Sequence, residues 1–219
     1  MFPEKLLEFI QDNQLNWKPG LLPNNLWKSD WPWAPINLDI DSTAVQQELE
    51  KLKYYFVPHR DKDKIHSYGH EGWESLTLHG LDYDKTEHWD RYGSHDETHY
   101  RWTEVCEYAP YIVSLIKSLP YSKFDRVRIM KLSAGGYIMP HTDGPGRIFG
   151  PLNIALTNPV GCRFVFKNHG VVPFEPGKGF LLDIGNEHCV MNDSKQDRYH
   201  IIVHGSPTRD INKLVLQSL

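Results

Sequence analysis

The sequence predicts a mostly β protein, a double-stranded β-helix (jelly roll) with N-terminal helices packed on one face. Short β-prone runs fill residues 121–205, and Gly, Pro, Asn or Asp occupies most of the gaps between them. Eight such runs match the strand number of a double-sheet jelly roll, in which strands that are distant in sequence meet at one rim. The runs are Phe124–Leu132, Tyr137–Met139, Ile148–Leu156, Arg163–Lys167, Val171–Phe174, Gly179–Ile184, Cys189–Met191 and Arg198–His204.

The 219 residues are expected to form a single domain, 1–219, because one β-sandwich or barrel often reaches this length. Residues 1–120 are expected to be a helical and loop segment that packs on the barrel. Residues 121–205 would form the jelly-roll core, and residues 206–219 a C-terminal tail.

Three helices are predicted in the N-terminal segment from apolar residues at helical spacing. The second of them carries a capping box, Thr43-Ala44-Val45-Gln46, which predicts that its first turn begins there. The helices are expected over residues 3–10, 43–56 and 110–119.

Composition argues against two classes of partner. A net charge of −4 gives no general attraction to nucleic acid or to an anionic membrane, so neither is expected as a partner. Three scattered cysteines are too few for a disulfide framework, which favours a reducing compartment. No apolar signal core or membrane-length run is found, so a cytoplasmic location is predicted.

The chain contains three His-x-Asp triplets, and only their context distinguishes them. His59-Arg60-Asp61 lies in a charge-dense run typical of a solvated loop, and His88-Trp89-Asp90 has no flanking apolar alternation. His141-Thr142-Asp143 follows a strand-like run and a Gly-Gly turn, and further strand-like runs come after it. The third triplet is therefore the candidate metal site.

His141 and Asp143 are two residues apart, so on an extended backbone both side chains lie on the same face. One imidazole and one carboxylate are two of the three ligands of a non-haem Fe(II) oxygenase. The best placed third ligand is His188, which lies near the start of a later predicted strand.

Two other histidines, His200 and His204, are rival ligands because both follow Arg198 on one face of the last predicted strand. His188 is preferred since it lies on an earlier strand, which allows all groups to meet at one rim. His200 is then interpreted as a supporting or core histidine. Cys189 is a neighbour of His188, but strand alternation points it to the opposite face.

Arg198 is expected to point into a mostly apolar barrel, where a guanidinium is costly unless an anion pairs with it. Its planar group is suited to holding a carboxylate by two hydrogen bonds. The barrel is therefore predicted to bind a carboxylate ligand near the metal. The alternative is an internal ion pair with Asp183 or Glu187.

These residues together resemble the Fe(II)/2-oxoglutarate-dependent dioxygenases, and within them the aspartyl/asparaginyl β-hydroxylase-like branch. The resemblance covers roughly Arg126 to Gly205. It implies that His141, Asp143 and His188 bind Fe(II) and that Arg198 holds the distal carboxylate of 2-oxoglutarate. It further implies hydroxylation of an unactivated C–H bond, in an amino acid or an amino-acid side chain, with consumption of O2 and release of succinate and CO2.

The sequence departs from the vertebrate enzyme that names the branch, which lacks the metal-binding carboxylate that Asp143 would supply. The serine that assists the arginine there falls at Met130, so a different helper is needed here. Asn153 falls where that enzyme has a histidine near the cosubstrate. Arg147 lies close to the position at which that enzyme has an assisting basic residue. Both are candidates for cosubstrate binding.

The substrate is expected to be a small molecule or a peptide, and the segment before the barrel is a plausible source of a pocket wall. Two other functions stay open at this point: a cupin-like metalloenzyme that does not use 2-oxoglutarate, and a catalytically silent jelly-roll binding module. Three candidates for substrate contact come from the N-terminal segment: Trp73, His79 and Trp102.

Overall fold

A computed structural model describes residues 1–14, 31–59, 69–86, 97–143 and 150–219. In these ranges the strands are β1 (Trp33–Asn37), β2 (Val57–Pro58), β3 (His70–Gly80), β4 (Arg101–Trp102), β5 (Tyr121–His141), β6 (Leu152–Ala155), β7 (Cys162–Phe166), β8 (Gly170–Val171), β9 (Lys178–Leu182), β10 (His188–Asn192) and β11 (Arg198–Pro207). The helices are α1 (Glu4–Asp12), α2 (Ser42–Leu52), α3 (Pro110–Lys117) and α4 (Ile211–Gln217), with short 3-10 helices at Glu97–His99 and Glu104–Tyr108.

The central strand of the fold is β5, which is 21 residues long. Its first half pairs with β11, and its second half pairs with β10. The strand bends at Gly135, which has a φ of +75°, and at Gly136, where a Cβ atom would lie 2.8 Å from the carbonyl oxygen of Ser133. Because only glycine tolerates both conditions, the predicted Gly-Gly turn is instead a bend within one continuous strand.

The described strands form one hydrogen-bonded antiparallel sheet, which curls at β5 into two halves: the larger sheet, in the order β1-β9-β6-β11-β5, and the smaller sheet, in the order β5-β10-β7-β8. This arrangement confirms the predicted jelly roll. Each predicted run contributes a strand, although the first two merge in β5 and the run at 171–174 is a strand only over its first residue, as the end of β8. Both sheets face a common interior, which the later strands line with aromatic side chains.

The N-terminal segment contributes four strands that the sequence analysis missed. β1 pairs with β9 at one edge of the larger sheet, and β3 pairs with β5 along most of its length. Over residues 75–78, β3 has no exposed polar face, which removes the usual signature of a half-buried strand. Ser75 and Thr77 are buried on the interior side, whereas Leu76 and Leu78 pack under the helices. Segment 1–120 is thus more than helices and loops.

Apolar side chains form three layers. The outer face of the larger sheet packs against α2, α3 and α4, and the barrel interior forms a second cluster. On the opposite outer face, Leu6 and Ile10 of α1 pack against Val165, Cys189 and Met191. Helices therefore cover both outer faces of the barrel, whereas the sequence predicts helices on one face. None of the helices in the described ranges is long and apolar enough to cross a membrane.

The start of α2 differs from the predicted capping box. The side chain of Asp41 accepts hydrogen bonds from the backbone N–H groups of Thr43 and Ala44, at 2.9 and 3.1 Å, so the cap lies two residues before Thr43. The start of α3 depends on a residue of α2. Buried Glu48 accepts from the N–H groups of Tyr111 and Ile112, at 2.7 and 2.9 Å.

Replacing Glu48 with Ala is expected to lower the free energy of unfolding by about 2–3 kcal/mol, because it leaves N–H donors at the start of α3 without an acceptor. Glu48→Gln, which keeps one carbonyl oxygen, should cost less. Urea unfolding of both variants measures the difference. Glu50→Ala, at a largely exposed position of the same helix, is the control. Equal losses in Glu48→Ala and Glu50→Ala would contradict the capping role.

Candidate metal centre

Three side chains converge at one mouth of the barrel. β5 ends at His141, Asp143 follows two residues later, and His188 begins the adjacent strand β10, directly opposite His141 in the register. Asp143 lies between the two imidazoles: its carboxylate oxygens are each 3.7 Å from an Nε2 atom, Oδ1 from His141 and Oδ2 from His188. His141 and His188, which are 47 positions apart in the sequence, are thus brought together by one strand pairing.

Backbone contacts fix the orientation of both imidazoles. The Nδ1 atom of His141 lies 2.8 Å from the carbonyl oxygen of Met139, and the Nδ1 atom of His188 lies 2.8 Å from that of Asn186. A carbonyl can only accept, so both Nδ1 atoms carry the hydrogen. Both Nε2 atoms then carry a lone pair directed at the centre of the group, as a metal ligand requires.

The geometry fits one metal ion. The ligand atoms of the three residues all lie within 4.8 Å of one another. Adjacent ligands of an octahedral ion with bonds of about 2.1 Å are about 3 Å apart, so small side-chain movements would close the group around it. Two imidazoles and one carboxylate on one side are the ligand set of non-haem Fe(II) sites with open positions.

Aromatic side chains enclose His188. The ring of Phe164 stacks on its imidazole with centroids 5.1 Å apart and an angle of 7°, and Phe166 lies at 5.5 Å. This burial, reinforced by the neighbouring His141, lowers the pKa of His188 to about 4. Its Nε2 lone pair is therefore available to a metal at neutral pH.

A second polar cluster lies inside the barrel, around Arg198 at the start of β11. Arg198 and His200 are both buried, and Arg198 donates from Nη2 to the Nδ1 atom of His200 at 2.9 Å. The Nε atom of Arg198 donates to Oδ1 of Asn158 at 3.4 Å, and Oδ1 of Asn153 lies 2.8 Å from the same Nδ1 atom of His200. Alternation along β11 thus places both side chains inward, as the sequence predicts.

Phe174 connects the two clusters. Its ring centroid lies 4.5 Å from that of His200 and 5.8 Å from the guanidinium carbon of Arg198. On its other side it lies 6.1 Å from Phe164, which stacks on His188. A continuous aromatic wall therefore runs from the candidate metal ligands to the buried guanidinium, so the two clusters border one interior.

The remaining predicted residues are distributed more widely. Trp73 packs against the interior cluster and lies opposite Leu132 of β5, the residue that also pairs with Arg198. His79 contacts Trp102, which packs under the helix-covered face beside Lys117, so these two lie on the outer side of the sheet. Arg147 lies outside the described residues.

The rival metal ligands lie elsewhere. His59 is buried with Nδ1 2.7 Å from the hydroxyl oxygen of Ser75, while the rest of its triplet, like the whole triplet at 88–90, lies outside the described residues. His204 has Nε2 3.3 Å from the Nη2 atom of Arg128. Cys189 faces α1, as predicted from alternation, and burial raises the pKa of its thiol to about 12.

Sequence reasoning missed Asn158 and the aromatic wall. Asn158 lies in a loop between β6 and β7, where no periodic pattern marks the direction of a side chain. Its Nδ2 donates to the carbonyl oxygen of Phe174 at 3.0 Å, which turns Oδ1 towards Arg198. Phenylalanines 164, 166 and 174 have the pattern of ordinary core residues. The register places Phe164 and Phe166 on one face with His188, and Phe174 packs beside Phe164.

Stability should depend on pH through buried His200. Burial and the neighbouring Arg198 hold its pKa well below the ordinary value of 6.5. Below about pH 6.5 the unfolded chain binds a proton at this imidazole and the folded chain does not. We therefore expect the free energy of unfolding of the metal-free protein to fall as the pH is lowered from there. The expected slope is about 1.4 kcal/mol per pH unit for this one group. Urea unfolding across that range, with chelator present, measures the slope. His200→Asn should give a shallower slope, and an identical slope would contradict the assignment.

Comparison with known proteins places these observations in a family. The family model described as aspartyl/asparaginyl beta-hydroxylase matches residues 39–206, well over half of the chain. No curated protein sequence matches this chain. A prolyl hydroxylase from Trichoplax adhaerens, solved with a hypoxia inducible factor oxygen degradation domain peptide fragment, is similar in fold, with a TM-score of 0.52, 16% identity, and 87% of this chain and 88% of that chain covered.

Two further solved structures match less closely. A Pseudomonas putida prolyl-4-hydroxylase gives a TM-score of 0.45 at 13% identity, covering 82% of this chain and 94% of that one. The collagen prolyl hydroxylase of Paramecium Bursaria Chlorella virus-1 gives 0.44 at 11% identity, covering 80% and 95%.

The fold and the converging triad define a jelly-roll protein of the kind that houses non-haem iron chemistry. The chain belongs to the aspartyl/asparaginyl beta-hydroxylase family, and with it to the 2-oxoglutarate-dependent non-haem iron hydroxylases. It is an enzyme that hydroxylates C–H bonds, and the family supports amino acid residues as the targets.

Proposed function

We propose that His141, Asp143 and His188 hold Fe(II), and that Arg198 binds the distal carboxylate of 2-oxoglutarate in the barrel interior. The observation that carries this proposal is the pair of clusters along one aromatic wall, a metal-ligand set at the mouth and a buried guanidinium deeper inside. The substrate would be a free amino acid or an amino-acid side chain in a peptide.

The surroundings of Arg198 support a bound carboxylate. Among the described residues, no carboxylate lies within ion-pair distance of its guanidinium, although the side chain is buried and burial lowers its pKa to about 10. The alternative internal partners are engaged elsewhere. Glu187 pairs with Lys167 at 2.6 Å, and Asp183 accepts from the backbone N–H of Gly185 at 3.2 Å. A buried cation with neutral neighbours favours an anionic ligand.

The roles of the chain's own residues follow from this placement. The three side chains would bind one face of the ion, which would leave its other positions for cosubstrate and substrate. When bound, iron and 2-oxoglutarate together supply the activation of O2, with succinate and CO2 as products. Arg198 compensates the charge of the distal carboxylate, while Phe164 and Phe174 line the interior and exclude water.

Asn153 and Arg147 are the other two candidates for cosubstrate binding. Asn153 contacts His200, so its contribution to cosubstrate binding would pass through the cluster around Arg198. Arg147 is retained as a candidate for the other end of 2-oxoglutarate on its sequence position alone.

The three cysteines are free thiols, which supports the reducing, cytoplasmic location that their number predicts.

Anaerobic addition of Fe(II) and then 2-oxoglutarate to the protein tests the proposal. The expected result is a visible charge-transfer band, which forms when 2-oxoglutarate chelates iron and saturates with cosubstrate. A cupin-like metalloenzyme that does not use 2-oxoglutarate would bind iron without the band. A catalytically silent binding module would bind no iron. Either outcome, with folded protein, would overturn the proposal.

A further inference from the structure

The hydrogen bonds around Arg198 identify the residue that holds this guanidinium in place; this inference rests on the proposed function. Arginine can only donate, so the contact of 2.9 Å between its Nη2 atom and His200 requires an unprotonated Nδ1. The hydrogen of the neutral imidazole is then on Nε2, which lies 3.3 Å from Oδ1 of Asn158. The atom of Asn153 placed 2.8 Å from the same Nδ1 is Oδ1. Two acceptors cannot form a hydrogen bond, so an unprotonated Nδ1 requires the Asn153 amide to be turned over, with its NH2 group towards His200.

Asn158 makes this arrangement the favoured one. Its amide is oriented because Nδ2 donates to the carbonyl oxygen of Phe174 at 3.0 Å, so Oδ1 is the atom that faces the cluster. Oδ1 then accepts from Nε2 of His200 and from Nε of Arg198. The three side chains form a closed triangle in which each of the three contacts joins a donor to an acceptor.

We propose that His200, held by Asn158 with its hydrogen on Nε2, is a positioning residue that fixes the Arg198 guanidinium for the distal carboxylate of the cosubstrate. Met130 is directly opposite His200 on β5 and offers no such acceptor, so the fixing contact comes from the same strand as the arginine itself. The triangle uses Nε and one hydrogen of Nη2. The Nη1 atom makes no hydrogen bond to any described residue, which leaves it available to an anion.

A fixed guanidinium should bind more tightly than a mobile one. An arginine side chain otherwise loses much of its rotamer freedom when it binds a ligand, and prior immobilisation removes that loss from the binding step. The ring of Phe174 packs against both Arg198 and His200, which restricts the guanidinium further. His200 therefore acts through Arg198, and its effect should be confined to ligands that carry the distal carboxylate.

Three substitutions separate the two nitrogens of His200. Asparagine places an oxygen near the position of Nδ1 and keeps an acceptor for Arg198. Glutamine reaches the position of Nε2 instead, and leucine removes both contacts. We expect His200→Asn to bind 2-oxoglutarate within about threefold of the parent, and both His200→Gln and His200→Leu to bind it about tenfold or more weakly. Affinity is measured anaerobically from the charge-transfer band of the Fe(II) complex.

The decisive readout is the ratio of the affinities for 2-oxoglutarate and for 2-oxopentanoate, which has a methyl group in place of the distal carboxylate. The parent and His200→Asn should share a large ratio, whereas His200→Gln and His200→Leu should lower it about tenfold with 2-oxopentanoate affinity unchanged. Loss of affinity for both acids alike, or an unchanged ratio in all variants, would overturn the positioning role. Because asparagine and glutamine are both polar and unbranched, their comparison stands even if the leucine variant does not fold. Absence of the band in the parent would instead count against the proposed function.

Discussion

His188→Ala is expected to lower kcat/KM for hydroxylation by at least about a thousandfold, equivalent to about 4 kcal/mol of transition-state stabilisation. The imidazole supplies one of the three ligand atoms that lie within 4.8 Å of one another, and the remaining two would bind iron weakly. Succinate release with a responsive substrate measures the activity, and iron content after desalting measures retention of the metal.

Two comparisons make this result interpretable. His99→Ala removes an exposed imidazole from the 3-10 helix before β4, and it should leave activity and iron content unchanged. Far-UV circular dichroism must show that His188→Ala is folded, since the substitution also leaves space beside Phe164. A folded His188→Ala protein with the iron content of the parent would remove His188 from the ligand set.

The jelly roll was accessible to prediction because its strands are short, regularly spaced and separated by turn residues. The triad was accessible because a two-residue spacing on one strand and a histidine at the start of a later strand lead to one rim in this topology. The sequence predicts two strands in place of β5 because glycine pairs usually mark turns. In the structure Gly135 and Gly136 permit a bend, and both halves of β5 keep their hydrogen bonds to neighbouring strands.

Other features depend on tertiary contacts that sequence patterns do not encode. β3 buries Ser75 on the interior face beside His59, so its polar residues do not mark the exposed side. The role of Glu48 as an acceptor for α3 depends on a contact between residues 63 positions apart. The direction of Asn158 is set by a backbone carbonyl of another loop, which explains why the arginine was predicted and Asn158 was not.

Arg198→Ala is expected to raise the dissociation constant for 2-oxoglutarate about a hundredfold while iron binding is unchanged. The substitution removes a buried positive charge that has no carboxylate partner among the described residues, and the distal carboxylate would then be buried without compensation. Anaerobic titration of the charge-transfer band measures the constant, and a metal-binding assay on the same samples separates cosubstrate loss from metal loss.

Arg198→Lys tests whether charge alone is sufficient. Lysine keeps a positive charge but lacks the planar fork, and it cannot donate at the same time to Asn158, to His200 and to a carboxylate in the geometry of the guanidinium. We expect an intermediate loss of about tenfold, together with weaker discrimination against 2-oxopentanoate. If Arg198→Ala and Arg198→Lys both bound 2-oxoglutarate as tightly as the parent, the carboxylate would have to bind elsewhere in the barrel. The buried guanidinium would then be structural, held by its neutral neighbours alone.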